Sequence, residues 1–312
     1  MATVRPLGNR PARPPHRTLA EVAANVADAR SVGAAEITGI ALNTKAVVPG
    51  DLFVAAPGAT THGARFVGEA LAAGAAAVLT DPAGAALLPD GVPHVVVPDP
   101  RATLGRLSAW LYDNPAQAVK TIGITGTQGK TSTTFIVEAA VGAAHCGVIG
   151  SMGTRIGGMP VASTLTTPEA PQLHALLAVM REQGIEVATA EVSSHSIPLG
   201  RVDGIRFDVG VFLNIGHDHR DFHGNQANYV AAKRELLTRA YSRRASSTST
   251  PRPGAGSAPI PTSPRPRSRS RGGRPTGPPR TSSWMPPAPP SRCAHRTGGA
   301  NASARGSTAP ST

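Results

Sequence analysis

The segment "GITGTQGKTSTT", residues 123–134, has the residue types and spacing of a phosphate-binding loop. An apolar strand is expected to end at Thr125, and a helix is expected to begin at Lys130. The loop between them, residues 126–129, would present backbone N–H groups beside a helix N-terminus, where an anion is stabilised. The Lys130 ammonium would contact the β- and γ-phosphates of a nucleotide, and the Thr131 hydroxyl would hold Mg²⁺.

The match to this kind of loop is imperfect. A strict phosphate-binding loop has a glycine five positions before Gly129. This chain has Ile124 there, and its other glycines stand at Gly123 and Gly126. An ordinary glycine-rich turn in front of a helix is therefore the alternative interpretation.

Two further polar clusters follow apolar strands. Glu191 lies at the end of a strand predicted over 185–192, and the segment "NIGHDHRDFHG" follows a strand predicted over 207–213. Because parallel strands place their carboxyl ends at one edge of a sheet, both clusters should meet the phosphate loop there. The second cluster offers oxygen and imidazole ligands for Mg²⁺, namely Asp218, His219, Asp221 and His223. The alternatives are a solvated strand end for Glu191 and hydrogen-bonded surface positions for the histidines.

Lys233 is an anomaly on its predicted helix, "NQANYVAAKRELLTRA". At helical spacing it shares one stripe with Tyr229, Val230, Leu236 and Leu237. A cation on such a stripe has two options. It extends its ammonium into water, or burial lowers its pKa and makes the amine reactive.

These residues need a scaffold of alternating strands and helices, and the chain contains two such units. The first is predicted to have a helix over 18–32, strands within 35–42 and 50–56, a helix running into a strand over 62–82, and a strand within 94–100. A helical bridge over 101–113 leads to the second unit, with its phosphate loop and a helix over 130–141. Apolar strands separated by helices are typical of a parallel sheet covered on both faces. We therefore predict an α/β fold: a small N-terminal α/β domain followed by an incomplete parallel-sheet, P-loop-type ATP-binding domain.

The chain of 312 residues has a formal net charge of +12, and its C-terminal segment accounts for all of it. From Tyr241 onward there are twelve arginines, no lysine and no acidic residue, so the remaining 19 basic residues balance 19 acidic ones. The charge therefore gives no reason to assign nucleic-acid binding to the folded part. The distant cysteines Cys146 and Cys293 disfavour a disulfide framework. Without a run of 18 apolar residues we expect no membrane span, and a cytoplasmic protein.

Residues 241–312 differ in composition from everything before them. They contain no Leu, Val or Phe, one Ile, fourteen prolines and fourteen serines, so we predict disorder there. The predicted organisation is an N-terminal extension (1–17), a first domain (18–110), a partial central domain (111–240) and this tail. The tail is either a genuine Arg/Ser/Pro-rich segment or the translation of a GC-rich gene in the wrong frame, which the abrupt change favours.

Together these motifs resemble those of the Mur ligase family, most closely the MurE type, which adds an amino acid to UDP-N-acetylmuramoyl-L-alanyl-D-glutamate. The resemblance covers about residues 18–240 and rests on five segments in family order. They are "PGDLFVAAPGATTHGARF", "TGTQGKTSTT", "TLTTPEAP", "EVSSHSIPLGRVDG" and "NIGHDHRDFHGNQANYVAAKRELL".

The resemblance implies a role for each matching residue. The ATP-binding residues would be Gly126, Thr127, Gln128, Gly129, Lys130, Thr131 and Ser132. The metal ligands for Mg²⁺ would be Thr131, Glu191, His219 and Lys233, the last as a carbamate formed with CO₂, which would turn the anomalous cation into an anion. The UDP-muramoyl substrate would contact Thr44, Thr166, Thr167, Ser193 and Arg201. The catalytic residues would be Lys130, Lys233 and His219.

The resemblance also implies the reaction and its partners. A substrate carboxylate attacks the γ-phosphate of ATP, and an amine displaces the resulting acyl phosphate, so charge neutralisation and positioning supply most of the rate. The partners would be the UDP-N-acetylmuramoyl dipeptide and an amino acid, with meso-diaminopimelate favoured over lysine. The chain would act as a monomer, without nucleic acid or membrane. Gln128 replaces the usual Asn of the family, and "LNTK" at 42–45 replaces its usual "DSR".

Three functional hypotheses stay open. Nothing after residue 240 resembles the C-terminal domain of the family, so we expect the chain to be truncated or frameshifted and inactive as written. It is then an enzyme by descent, or a binding-only fragment that retains UDP-sugar or ATP binding. The third hypothesis is nucleic-acid binding through the tail. Folylpolyglutamate synthetase is a related enzyme alternative, which "TTPEA" and "SSHSIPLGR" disfavour.

Overall fold

A computed structural model describes residues 8–162, 165–216, 218 and 220–248. These residues form two α/β regions within one compact unit. The predicted fold class is confirmed. The first region contains, in chain order, β1 (Arg17–Thr18), α1 (Leu19–Ala24), β2 (Arg30–Val32), β3 (Glu36–Ile37), β4 (Gly39–Ala41), β5 (Asp51–Ala55), α2 (Val67–Ala72), β6 (Ala77–Thr80), α3 (Pro82–Ala85), β7 (His94–Val96) and α4 (Pro100–Leu111). The second contains β8 (Lys120–Thr125), α5 (Lys130–Val141), β9 (Cys146–Gly150), β10 (Gly153–Ile156), β11 (Met159–Val161), α6 (Ala170–Glu182), β12 (Val187–Glu191), β13 (Phe207–Phe212), α7 (Arg220–His223), α8 (Gln226–Glu235) and β14 (Ser242–Ser247).

The first region is built on a five-stranded sheet in the order β2-β7-β6-β5-β4. Its strands are parallel except β2, which pairs antiparallel with β7. The helix predicted over 18–32 is too long, because α1 ends at Ala24. The chain then turns at Asp28, which has a φ of 58°, and Arg30–Val32 joins the sheet edge. Pairing with β7 thus overrides the helical periodicity of this stretch.

The second region contains a seven-stranded sheet in the order β11-β10-β9-β12-β8-β13-β14. The strands from β9 to β14 in this order are parallel, whereas β10 and β11 form an antiparallel extension. Helix α5 has the bounds predicted from sequence, and the predicted strands over 185–192 and 207–213 correspond to β12 and β13. The β10–β11 hairpin was not predicted. Parallel strands β8, β12 and β13 therefore end at one edge of the sheet.

The disorder predicted from residue 241 onward is wrong for its first residues. Ser242–Ser247 forms the edge strand β14, paired in parallel with β13. Only Ser242 of this strand is buried, and its hydroxyl donates to the Leu236 carbonyl at 2.6 Å. Backbone pairing rather than an apolar pattern therefore forms β14. Residues 249–312 lie outside the described residues.

Helices α4 and α6 join the two regions. Leu104, Leu107 and Leu111 of α4 share one apolar core with the first sheet and with three alanines of α6. His174 of α6 is fully buried, and its Nε2 lies 2.9 Å from the Asp203 carbonyl. Burial lowers the pKa of His174 to about 4, so the imidazole is neutral at pH 7.

The N-terminal extension is packed onto both regions. The Arg10 guanidinium donates to Asp51 Oδ2 at 2.8 Å and to the Tyr112 hydroxyl at 2.7 Å. The backbone N–H groups of Ala12 and Arg13 each donate to the Glu182 carboxylate of α6 at 2.8 Å. Among the described residues, no helix is both long and apolar enough to span a membrane.

Candidate active site

The phosphate loop lies between β8 and α5, at the carboxyl edge of the second sheet. Gly129 occupies the N-cap position of α5 with a φ of 83°, a left-handed conformation that favours glycine. Within the described residues no side chain caps this helix. Its first N–H groups are therefore left for an anion at the helix N-terminus.

The segment after β13 holds the phosphate loop. The Thr127 N–H donates to the Asn214 carbonyl at 3.1 Å, and the Gln128 N–H donates to Asn214 Oδ1 at 3.0 Å. Asn214 Nδ2 donates back to the Gln128 carbonyl at 3.1 Å. These contacts use the backbone of Gln128, whose side chain is exposed. The loop geometry therefore does not depend on having the family's usual Asn at this position.

Two lysine ammonium groups converge on one carbonyl of this loop. Lys130 Nζ lies 2.9 Å from the Gly126 oxygen, and Lys233 Nζ lies 2.8 Å from the same atom. Burial lowers the pKa of Lys130, although Glu191 and Asp218 oppose this effect. The Lys130 ammonium, which also donates to the Thr127 carbonyl at 3.2 Å, makes the loop electropositive, which suits a polyanion.

Lys233 is buried inside the second region. Only 3% of it is exposed, so the alternative that it extends into water is wrong. Its ammonium lies 4.8 Å from the ring centroid of Tyr229, and within the described residues it makes no ion pair. Burial first, and then repulsion by Lys130, lower the pKa of Lys233 to about 7, against the attraction of Asp218. A large fraction of this amine is therefore neutral near pH 7.

Glu191 is the last residue of β12 and lies against the start of α5. It is 1% exposed, so the alternative of a solvated strand end is wrong. Its Oε1 accepts hydrogen bonds from the Thr131 hydroxyl at 2.9 Å and from the Ser151 N–H at 2.9 Å. The buried carboxylate and the Thr131 hydroxyl form a pair of oxygen ligands of the kind that Mg²⁺ prefers.

Four of the residues assigned to the muramoyl substrate lie in the second region, three of them in one hydrogen-bonded group beside Glu191. The buried Thr167 hydroxyl donates to the Glu191 carbonyl at 2.7 Å and accepts from the Ser193 N–H at 3.2 Å. Arg201 forms an ion pair with Glu169 at 2.9 Å, and its buried Nε has no hydrogen-bond partner among the described residues. Thr166 adjoins Thr167 in the chain. An orphaned guanidinium N–H beside hydroxyl groups suits an anionic or amide substrate group.

The remaining predicted residues are spread over the two regions. Thr44 belongs to the first region, where its hydroxyl donates to Glu69 Oε1 at 2.6 Å. Ser132 is exposed on the first turn of α5. His223 stacks edge-on against Tyr229, with ring centroids 5.4 Å apart. His219 lies outside the described residues, and within them no group of three or more His, Cys, Asp or Glu side chains forms a metal cluster.

Sequence reasoning missed two residues of the site, Asn214 and Ser151. Asn214 directly follows an apolar strand at the carboxyl edge, which is the same signal that pointed to Glu191. Ser151 lies in the turn between β9 and β10, two strands that were not predicted from the sequence. No sequence pattern could therefore have connected it with Glu191.

Gly150 makes room for the Glu191 carboxylate, which gives a testable prediction. A Cβ added at Gly150 would lie 2.3 Å from Glu191 Oε1. We expect Gly150→Ala to displace the carboxylate from Thr131 and to weaken Mg²⁺-dependent ADP binding by at least about tenfold in calorimetry. Gly68→Ala is the matched control, because an added Cβ there meets no atom within 4 Å. Equal ADP affinity in both variants would contradict this role of Gly150.

The fold and this site define the class of protein: the chain belongs to the Mur ligase family. A Mur ligase middle-domain model matches residues 124–246, and a second model, described as the Mur ligase family catalytic domain, matches residues 36–112. Together they cover most of both described regions.

Two curated relatives and one solved structure show what the chain is similar to within this family. The chain is 49% identical over 236 residues to a "UDP-N-acetylmuramoyl-L-alanyl-D-glutamate--2,6-diaminopimelate ligase" of Streptomyces coelicolor, covering 75% of this chain and 47% of the relative. It is 45% identical over 250 residues to a "UDP-N-acetylmuramyl-tripeptide synthetase" of Leifsonia xyli, covering 78% of this chain and 48% of the relative. A solved structure of an enzyme with the same name as the Streptomyces coelicolor relative matches this chain with a TM-score of 0.52 and 27% sequence identity. The match covers 68% of this chain and 43% of the chain in that structure. The chain therefore spans about half the length of these relatives.

Proposed function

We propose that this chain carries the nucleotide-binding and UDP-muramoyl-binding parts of an ATP-dependent ligase of peptidoglycan precursor synthesis. The reaction would join meso-diaminopimelate to UDP-N-acetylmuramoyl-L-alanyl-D-glutamate through an acyl phosphate, in keeping with the names of the relatives. The observation that carries the proposal is the convergence of Lys130 and Lys233 on the Gly126 carbonyl, at the uncapped start of α5.

The residues present fit ATP and Mg²⁺. When bound, ATP would supply the phosphoryl group that activates a substrate carboxylate, and Mg²⁺ would offset part of the negative charge. Residues 126–132 would hold the nucleotide phosphates through backbone N–H groups and the Lys130 ammonium. Thr131 and Glu191, already hydrogen-bonded to each other, would hold the metal, together with His219.

The thermodynamic reason for this arrangement is charge. A carboxylate and a triphosphate repel each other, and the Lys130 ammonium, the helix N–H groups and bound Mg²⁺ would offset that repulsion in a partly buried site. Thr166, Thr167, Ser193 and Arg201 would orient the muramoyl peptide beside Glu191, and Thr44 would contact the uridine side. This arrangement would put the substrate carboxylate and the phosphate loop at the same sheet edge.

The simplest test of the proposal is calorimetry on the full chain with Mg²⁺-ADP and with the UDP-muramoyl dipeptide. We expect the chain to bind both ligands. Binding of neither by a folded chain would overturn the proposal. Binding without turnover of ATP when both substrates and an amine are present would favour the binding-only function.

Lys233 is proposed to react with CO₂ and become a carbamate ligand for Mg²⁺. The reaction needs the neutral amine, because its nitrogen lone pair attacks the carbon of CO₂ and loses one proton. With a pKa of about 7, about nine tenths of the Lys233 amine is neutral at pH 8, against less than about one hundredth for an ordinary lysine. At a fixed concentration of dissolved CO₂, ¹³C NMR should show a carbamate resonance that grows as the pH rises through 7.

The chain offers a matched control for this measurement. It has four lysines, and Lys45 and Lys120 are exposed. Lys233→Arg should abolish the resonance, whereas Lys120→Arg should leave it unchanged. If the same carbamate resonance is still present in Lys233→Arg, the assignment of the carbamate to Lys233 is contradicted.

A further inference from the structure

The main chain at the phosphate loop forms backbone hydrogen bonds with the segment that follows β13. The Leu213 N–H donates to the Thr125 carbonyl at 2.9 Å, and the Thr127 N–H donates to the Asn214 carbonyl at 3.1 Å. At Gln128 the main-chain pairing stops, and the Asn214 side chain takes its place. One amide group accepts from the Gln128 N–H and donates to the Gln128 carbonyl, at 3.0 and 3.1 Å.

We propose that Asn214 is a positioning residue, whose side chain holds the phosphate loop in its nucleotide-receiving conformation before the nucleotide arrives. This inference rests on the proposed nucleotide binding. It adds to that function a residue that touches neither phosphate nor metal and acts through the backbone of Gln128.

The loop needs such a residue because its own sequence does little to fix its shape. Gly126 and Gly129 flank the two middle residues, and glycine has the largest backbone freedom to lose on ordering. The peptide unit between Gln128 and Gly129 carries the Gln128 carbonyl and leads into the left-handed Gly129 at the start of α5. If this unit rotated, its carbonyl oxygen could point toward the phosphates and repel them. The hydrogen bond from Asn214 Nδ2 opposes that rotation, and the bond to Asn214 Oδ1 holds the preceding peptide unit.

A second contact anchors the other side of the loop. The Thr127 hydroxyl lies 2.9 Å from the Tyr229 hydroxyl and accepts from the Gly216 N–H at 2.8 Å. Thr127 is therefore fixed independently of the Asn214 side chain, whereas both polar backbone groups of Gln128 are bonded to Asn214. Loss of the Asn214 amide should accordingly free Gln128 and leave Thr127 in place.

The side chain at 214 has to be an amide for this role. An amide carries one acceptor and one donor group on a single short branch, which is what the N–H and C=O of one residue require. Alanine supplies neither group, and a serine hydroxyl is too short to reach both. Pre-ordering of a binding loop raises affinity because less conformational entropy is lost on binding.

The test compares Asn214→Ala with the unchanged chain. In the nucleotide-free protein, hydrogen exchange at the Gln128 amide should become faster, and calorimetry should give an affinity for Mg²⁺-ADP that is about tenfold weaker. At saturating ADP the difference in exchange should shrink, because the bound phosphates order the loop. Binding of the UDP-muramoyl dipeptide should not change.

Asn43→Ala is the matched control. Asn43 also accepts from a backbone N–H, that of Lys45 at 2.9 Å, but it lies in the first region. This variant should leave ADP affinity and Gln128 exchange unchanged. Should Asn214→Ala melt below the assay temperature, Asn214→Ser replaces it with the same expected results.

The outcomes separate this inference from the function on which it rests. If the unchanged, folded chain does not bind Mg²⁺-ADP, the proposed nucleotide function fails. If it binds and Asn214→Ala binds equally well with unchanged exchange at Gln128, the role of Asn214 alone is overturned. Faster exchange that is equally large with and without ADP would also overturn it, because it would show a general loss of stability.

Discussion

Lys130→Ala should reduce the affinity of the chain for Mg²⁺-ADP by at least about a hundredfold, while binding of the UDP-muramoyl dipeptide is retained. The reason is electrostatic. Lys130 lies at the first position of α5 with its ammonium on the loop carbonyls of Gly126 and Thr127, at 2.9 and 3.2 Å. An arriving phosphate would replace these neutral acceptors with a full negative charge in a partly buried place. Calorimetry with each ligand in turn measures both effects.

Lys120→Ala is the control for this prediction, because it removes an exposed lysine at the other end of the same strand, β8. It should leave both affinities unchanged. Loss of both ligands in Lys130→Ala would indicate unfolding, and unchanged ADP affinity would contradict the phosphate-binding role.

Lys130→Ala should also change the ionisation of its neighbour. Repulsion by Lys130 is one of the causes that lower the pKa of Lys233. Removing it should raise that pKa, so the carbamate resonance should appear at a higher pH than in the unchanged chain. Both ammonium groups donate to the Gly126 carbonyl, so the size of this pKa shift would measure the electrostatic coupling between the two lysines.

Much of this site could be predicted because its local signals and its topology agree. Glycine, lysine and threonine at the start of a helix give α5 its N-terminus at Lys130, and parallel strands bring Glu191 to the same edge. The anomaly of Lys233 was also visible, since a cation interrupts an apolar stripe. The partner of the buried Lys233 ammonium could not be predicted from spacing, because Lys233 and Gly126 lie 107 positions apart in the chain.

The failures share a physical cause, which is pairing that depends on a neighbour rather than on local pattern. Residues 30–32 have helical periodicity in the sequence but pair with β7 in the structure. Residues 242–247 form a strand although almost none of their side chains is buried. The two hydrogen bonds between the Asn214 side chain and the Gln128 backbone likewise depend on a neighbour in space. In each case backbone hydrogen-bonding groups find partners that a hydrophobic period does not encode.

The N-terminal extension gives the second large effect, because it carries the guanidinium that pairs with a fully buried carboxylate. Asp51 is 0% exposed, and its Oδ2 accepts from Arg10 at 2.8 Å, while its Oδ1 has no hydrogen-bond partner in the part of the chain that the structure describes. Burial raises the pKa of Asp51, and Arg10 opposes this effect. Arg10→Ala would leave the carboxylate buried and unpaired. We expect the free energy of unfolding at pH 7 to fall by about 3 kcal/mol, measured by urea denaturation.

The pH dependence of this loss identifies its cause. Without Arg10 the pKa of Asp51 rises further above its value in the unfolded chain, so the folded state takes up a proton more readily as the pH falls. A group whose pKa is higher in the folded state than in the unfolded chain contributes stability at pH values below its unfolded-state pKa. That contribution is lost as the pH rises through its folded-state pKa. The loss of unfolding free energy in Arg10→Ala should therefore be smaller at pH 5 than at pH 8.

Two further variants test the same cause. The double variant Arg10→Ala/Asp51→Asn should lose less unfolding free energy than the sum of the two single changes. Arg13→Ala, an exposed arginine of the same extension, should stay close to the unchanged chain. A deficit that is independent of pH, with additive single changes, would mean that Arg10 acts only by packing.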